Sequence, residues 1–168
     1  MAIVSSADAG SRAAGRATIL QLRAPQATAA AVEREAARLV PASPVPVVIS
    51  SRIDVVLASD AAGVHLPERD ISTADARQLM GHRIVGRSVH SVHAAKEAEQ
   101  EGADYVVFGP VWASASHPDV APVGLDALAR VARSVRIPVL AIGGVTEERV
   151  AEVHRAGAAG FAAIGMFN

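Results

Sequence analysis

Residues 137–165 read IPVLAIGGVTEERVAEVHRAGAAGFAAIG. The first eight residues, IPVLAIGG (137–144), form an aliphatic run that predicts a strand. TEERVAEVHRAG (146–157) then has helical spacing, a Thr at the cap position and a closing Gly157. AAGFAAIG (158–165) is a second apolar run and predicts another strand. Strand, helix and strand in so short a space make one βαβ unit, whose two strands run parallel. Both runs are apolar throughout instead of alternating, as strands covered on both faces must be.

The same unit repeats toward the N-terminus. ADYVVFG (103–109) precedes a helical GLDALARVARSV (124–135), RIVGRSV (83–89) precedes SVHAAKEAEQEG (91–102), and AGVHL (62–66) precedes STADARQLM (72–80). VPVVIS (45–50) precedes the short SRIDVVLASD (51–60), and ATILQLR (17–23) precedes QATAAAVEREAARLV (26–40). AIVSS (2–6) supplies an eighth strand at the start. Eight parallel strands with helical crossovers predict a TIM (β/α)8 barrel, one domain over 1–168. The competing arrangement is an open doubly wound sheet. No Gly-rich fingerprint follows the first strand, and polar residues end nearly every strand, so the barrel is preferred. Segment 7–16 looks too short for a full covering helix, and Asn168 comes three residues after the last strand. The expected barrel therefore has a shortened first helix and no eighth helix.

Composition bounds the function. The 168 residues are 51% apolar with a formal net charge of −1, which gives no reason to expect nucleic acid or an anionic membrane as partner. There is no Cys, hence no disulfide framework and no thiolate metal site. No apolar run is long enough to span a bilayer, and the first residues lack a basic, then apolar, secretory pattern. A cytoplasmic protein is the expectation.

Barrel sites lie at the C-terminal ends of the strands. Those ends carry Gln21 and Arg23, Ser50 and Ser51, His65, Ser88 and His90, the stretch Gly109–His117, Gly143–Gly144, and Ile164–Gly165. Glycines after the last two strands let backbone amides approach a phosphate with no Cβ in the way. Gly143, Gly144, Ile164 and Gly165 are the predicted phosphate contacts, with the hydroxyls of Ser114 and Ser116 beside them. Gln21, Arg23, Ser50 and Ser88 are the predicted substrate contacts, with Trp112 as an apolar wall. The alternative for the glycines is that they only turn the chain. His90 and His117 are the candidate proton carriers, and His65 is either a third or a packed strand residue.

ILQLRAP, AAGVHLPERD, IVGRSVHS, GADYVVFGPVW, IPVLAIGGVTEERV and AGAAGFAAIG together resemble the thiamine-phosphate synthase/TenI superfamily. The likeness runs from about residue 17 to 167, and GRSVHS resembles the TenI branch. The resemblance implies a TIM barrel. It also implies one of two activities. One branch joins a pyrimidine pyrophosphate to a thiazole phosphate with magnesium; the TenI branch includes thiazole tautomerases. Against the synthase pattern, His117 stands for a Lys, Ala24 and Pro25 end the Gln21–Arg23 run without one, and Ser51 stands for a metal-binding Asp. Asp70 remains as a weak magnesium candidate. Against the tautomerase pattern, Pro110 stands where that branch can carry a His.

The first expectation is thus a TenI-like tautomerase, an isomerase that binds a phosphorylated thiazole without a cofactor. A magnesium-using synthase is the second, and a non-catalytic phosphate-ligand binder the third. Missing helices would leave the outer faces of the first and last strands bare. That predicts a homo-oligomer, most simply a two-fold dimer, unless segment 7–16 folds back over the stripe.

Overall fold

The structure is a computed structural model that describes residues 1–114 and 120–167. Eight parallel strands stand in chain order: β1 (Ala2–Val4), β2 (Leu20–Leu22), β3 (Val47–Ser50), β4 (Gly63–Leu66), β5 (Ile84–Val89), β6 (Tyr105–Phe108), β7 (Val139–Ile142) and β8 (Gly160–Ala162). The ends of the sheet meet. Ile3 N–H donates to Ala163 C=O at 2.9 Å, and Ala163 N–H donates to Met1 C=O at 3.2 Å. This is the predicted (β/α)8 barrel, closed at its first and last strands.

Seven helices follow the strands: α1 (Ala7–Ala13), α2 (Ala29–Ala42), α3 (Ile53–Ser59), α4 (Thr73–Met80), α5 (Val92–Gln100), α6 (Gly124–Ser134) and α7 (Val150–Arg155). Ser6, Thr28, Ser72 and Ser91 cap α1, α2, α4 and α5 by accepting a backbone N–H in the first turn. Thr146 does not act this way. Its residue is extended, but it makes no side-chain cap bond, and a 3₁₀ turn (Glu147–Arg149) comes before α7. Its hydroxyl instead bonds the Glu148 carboxyl and holds that acid below its usual range. The closing Gly157 is as expected, with φ of +88°.

Two apolar layers form. Outside the strands, residues such as Leu22, Ile49, Leu66, Val106 and Phe108 meet the helices. Inside the barrel, Met1, Ile3, Val48, Tyr105, Val107 and Ala162 fill the lower floor. This is the alternation that a closed sheet imposes: residues at i and i+2 face one side.

Segment 7–16 is more helical than its length suggested. Seven residues form α1, and Ala14–Arg16 add a 3₁₀ turn. Its buried face is Ala7, Ala9, Gly10 and Ala13, small enough for close approach to α2. A Cβ on Gly10 would lie 2.5 Å from Leu39 Cδ1. Glu35 of α2 accepts the Ala7 N–H at 2.6 Å, which fixes the start of α1. No eighth helix follows β8 in the described residues; a 3₁₀ turn, Gly165–Phe167, stands there. Phe167 is buried and stacks on Phe161 with centroids 6.2 Å apart. The stripe expected to be bare is therefore covered by α1 and this turn, and the argument for a two-fold dimer loses its ground. No helix among the described residues is long and apolar enough to cross a membrane.

Candidate functional site

The inward residues of the upper strands leave a cavity of about 810 Å3 at the C-terminal end of the barrel. Gln21 of β2, Ser50 of β3, His65 of β4 and Ser88 of β5 line its wall. Arg23 and His90 lie two residues further along their chains and line the rim. On the opposite side stand Gly109, Ser114, Gly143, Gly144, Ile164 and Gly165. The structure thus gathers most of the predicted contacts around one space.

Polar groups here are arranged unequally. Gln21 is only 3% exposed, and its amide makes no hydrogen bond among the described residues. Arg23 has no ion-pair partner among the described residues either. An amide that opens on the cavity and a cation at its rim, neither with a side-chain partner among the described residues, are groups that a ligand can satisfy. His65 is the opposite case. It is 3% exposed, with Nδ1 at 3.0 Å from the Tyr105 hydroxyl and Nε2 at 2.9 Å from Ser88 Oγ. Burial, then the positive charges of Arg87 and Arg23, lowers its pKa to about 3, so the ring is neutral. His65 is no proton carrier at ordinary pH.

His90 is placed differently. Its Nδ1 lies 2.8 Å from Glu68 Oε2, and its backbone N–H donates to Glu68 Oε1 at 3.1 Å. One carboxylate thus grips the residue at two points and leaves Nε2 without a protein partner among the described residues. Glu68 comes from the loop after β4. Arg87 holds that loop by donating to the carbonyls of Glu68, at 2.9 Å, and Ile71. Sequence reading missed Glu68. Its only signal was an acid three residues after His65 in HLPERD.

The glycine rim is tight on one side and open on the other. Gly143 and Gly144 have φ of +91° and +64°, which other residues adopt with strain. A Cβ on Gly144 would sit 2.5 Å from the Ala113 carbonyl and 2.7 Å from Trp112 Cβ. Gly144→Val therefore displaces the 111–114 loop and does not simply fill the place expected for an anion. Gly165 is the better probe, because its Cβ would meet nothing within 4 Å. Gly165→Asp should leave the melting temperature unchanged and weaken phosphate binding about tenfold by charge repulsion. Titration with inorganic phosphate checks this, and unchanged affinity would place the phosphate elsewhere.

Some expectations are corrected and others fall outside the structure. Trp112 does not line the cavity. Its indole packs in the outer layer, and the Arg149 guanidinium lies 5.0 Å above its ring. Arg149 also donates to Gly144 C=O at 2.6 Å, so one guanidinium touches both the indole and the glycine turn. Ser116 and His117 lie outside the described residues. Asp70 is not part of the cavity wall; its Oδ1 accepts the Ile71 N–H at 2.8 Å.

Among the described residues, the donor set does not fit a protein-held magnesium ion. Among the described residues, no three His, Asp or Glu side chains converge as ligands. Glu68 is committed to His90, Asp70 to its own turn, and Ser50 and Ser51 carry no charge. A small hard dication wants carboxylate oxygens in a near-octahedral array.

A parallel (β/α)8 barrel with a glycine-edged rim and a polar wall around a cavity at its C-terminal end has the architecture in which barrel proteins place their ligand sites. The sequence profile of the thiamine monophosphate synthase family (TMP-TENI) matches residues 6–167, and this chain belongs to that family. It is 40% identical over 154 residues to a thiamine-phosphate synthase of Chloroflexus aurantiacus, covering 89% of this chain and 71% of the relative. It is 42% identical over 155 residues to the thiamine-phosphate synthase of Roseiflexus castenholzii, covering 89% of this chain and 68% of the relative. Among solved structures, the thiamine phosphate pyrophosphorylase of Pyrococcus furiosus superposes with a TM-score of 0.87 at 32% identity, over 97% of this chain and 83% of that one. FabK of Thermotoga maritima superposes with a TM-score of 0.83 at 17% identity, over 99% of this chain and 58% of that one, which is a likeness of fold alone. The relatives carry the synthase name, so the expected preference for the TenI branch finds no support among them.

Proposed function

We propose that this chain acts as a thiamine-phosphate synthase, joining a pyrimidine pyrophosphate to a thiazole phosphate. One observation carries the reading beyond the names of its relatives. The cavity of about 810 Å3 has glycine backbone on the β7–β8 side and, on the β2 side, Arg23, which has no ion-pair partner among the described residues. That volume lies in the upper part of the ~300–1,000 Å3 range of ligand pockets and leaves room for two small ligands side by side.

In this reading the thiazole phosphate rests on the Gly143–Gly144 and Ile164–Gly165 rim. The thiazole nitrogen forms a bond to the pyrimidine methylene carbon, and the carbon–oxygen bond to pyrophosphate breaks. The electron pair leaves with the pyrophosphate oxygen. Arg23 faces the charge that develops there, which is where a fixed cation stabilises a transition state most. As an imidazolium, with Nδ1–H on the Glu68 carboxylate, His90 hands its Nε2 proton to the departing oxygen and is left neutral.

The Glu68–His90 pair also favours a second reading. A carboxylate-held imidazole at a cavity rim suits proton transfer on one thiazole ring, as a tautomerase requires. The test is direct. Incubation with hydroxymethylpyrimidine pyrophosphate, thiazole phosphate and added magnesium should yield thiamine phosphate and pyrophosphate. Absence of that product, together with solvent deuterium entering a thiazole carboxylate phosphate, would replace the first reading by the second.

A further inference from the structure

The hydrogen-bond direction of the Ser88 hydroxyl on the cavity wall can be worked out, because both groups behind it are buried. We propose that Tyr105 and His65 form a one-way hydrogen-bond relay that fixes the Ser88 hydroxyl as a donor toward the ligand.

The argument is an accounting of protons. The Tyr105 hydroxyl is buried, and among the described residues its single partner is His65 Nδ1, at 3.0 Å. A phenol has one proton to donate, and a buried donor without an acceptor costs about 1–3 kcal/mol. That proton must therefore go to Nδ1. Nδ1 is then the acceptor nitrogen of a neutral ring, and the ring proton sits on Nε2. Nε2–H donates to Ser88 Oγ, 2.9 Å away. With an oxygen lone pair of Ser88 occupied and no other hydrogen-bond partner for it among the described residues, its own proton points to the cavity that Ser88 lines.

The reverse arrangement fails at its far end. If Ser88 donated to Nε2, Nδ1–H would donate to Tyr105, and the phenol proton would be buried with nowhere to go. The same geometry explains a glycine. A Cβ on Gly86 would lie 2.1 Å from Tyr105 Cζ and 2.3 Å from its hydroxyl oxygen, so only Gly at this position lets the phenol reach His65. Gly86 and Tyr105 pair across β5 and β6, and His65 pairs with Gly86 across β4 and β5. The relay thus runs along one tier of three adjacent strands and emerges at Ser88.

Tyr105, His65 and Gly86 are positioning residues. Tyr105 and Gly86 lie off the cavity lining and His65 acts through Ser88, so that together they decide that a hydrogen-bond acceptor is welcome there. A phosphate oxygen, a carboxylate or an unprotonated ring nitrogen satisfies it, whereas a ligand presenting only a donor there leaves the Ser88 proton without an acceptor. The inference uses the cavity as the ligand site and in that respect rests on the proposed function.

The test separates the two. Nitrogen-15 NMR of the His-labelled wild-type protein should show His65 protonated on Nε2 and bare on Nδ1; a proton on Nδ1 overturns the relay. Thiazole phosphate and hydroxymethylpyrimidine pyrophosphate are then titrated by calorimetry into wild type, Ser88→Ala and Tyr105→Phe. The same probe should lose about three- to tenfold in affinity in both variants, and the double variant should lose no more than Ser88→Ala alone. Tyr105→Phe binding both probes as tightly as wild type also overturns the relay. A wild type that binds neither probe overturns the proposed function, while the NMR result still decides the relay. It also decides it if Tyr105→Phe fails to fold.

Discussion

His90→Gln should lower kcat about a hundredfold or more and leave KM nearly unchanged. Gln keeps an N–H at a similar reach, so hydrogen bonding to the ligand survives in part. What it loses is the ability to give up or accept a proton. The loss is expected in either reading of the chemistry, because both give His90 Nε2 a proton-transfer role. Glu68→Gln should cost less, about tenfold, because the amide can still hold the ring without the carboxylate's charge. Glu68→Asp, with a shorter reach to Nδ1, should fall between wild type and Glu68→Gln. Steady-state kinetics of thiamine phosphate formation measures all of these. If His90→Gln retains full kcat, the imidazole is only a rim contact and the chemistry belongs elsewhere.

Acidification from pH 7 to 4 should cost about 3 kcal/mol of folding stability through His65 alone. The folded ring holds its pKa at about 3, against 6.5 for the ordinary side chain. Between those values the unfolded chain binds the extra proton and the folded one does not. The His65 contribution is therefore complete above pH 6.5 and declines steadily as the pH falls toward 3. Denaturant titrations at several pH values on wild type and His65→Gln test this. The variant should show a flatter loss of stability over the same range, since its carboxylates are the same and only the imidazole is gone. Parallel slopes would mean that His65 takes up a proton without unfolding.

The strands were readable because burial on both faces leaves a chemical mark: VVIS, YVVF and VLAI are apolar without alternation. α1 was harder. ADAGSRA has no amphipathic stripe, since its buried side is made of Ala and Gly, and what makes it a helix is how closely it can press on Leu39. In the site, Gln21 with Arg23 and Ser88 with His90 were legible because a period of two carries the inward face past the end of each strand. Trp112 was not. It lies four residues beyond the end of β6, too far for that period to hold, and its indole packs under Arg149, from a different loop. Glu68 and Tyr105 were hidden for a related reason. Their partners lie 22 and 40 residues away, so their meaning exists only after the barrel has brought neighbouring strands together.

Trp112 is the chain's single tryptophan. Its indole lies under Arg149, and the same guanidinium holds the carbonyl of Gly144 at the rim of the cavity. The protein thus carries its own optical reporter. Tryptophan emission comes from one place only, one guanidinium away from the proposed anion seat. Loading that seat should alter how Arg149 is shared between carbonyl and ring, so intrinsic fluorescence can follow occupancy with no label attached.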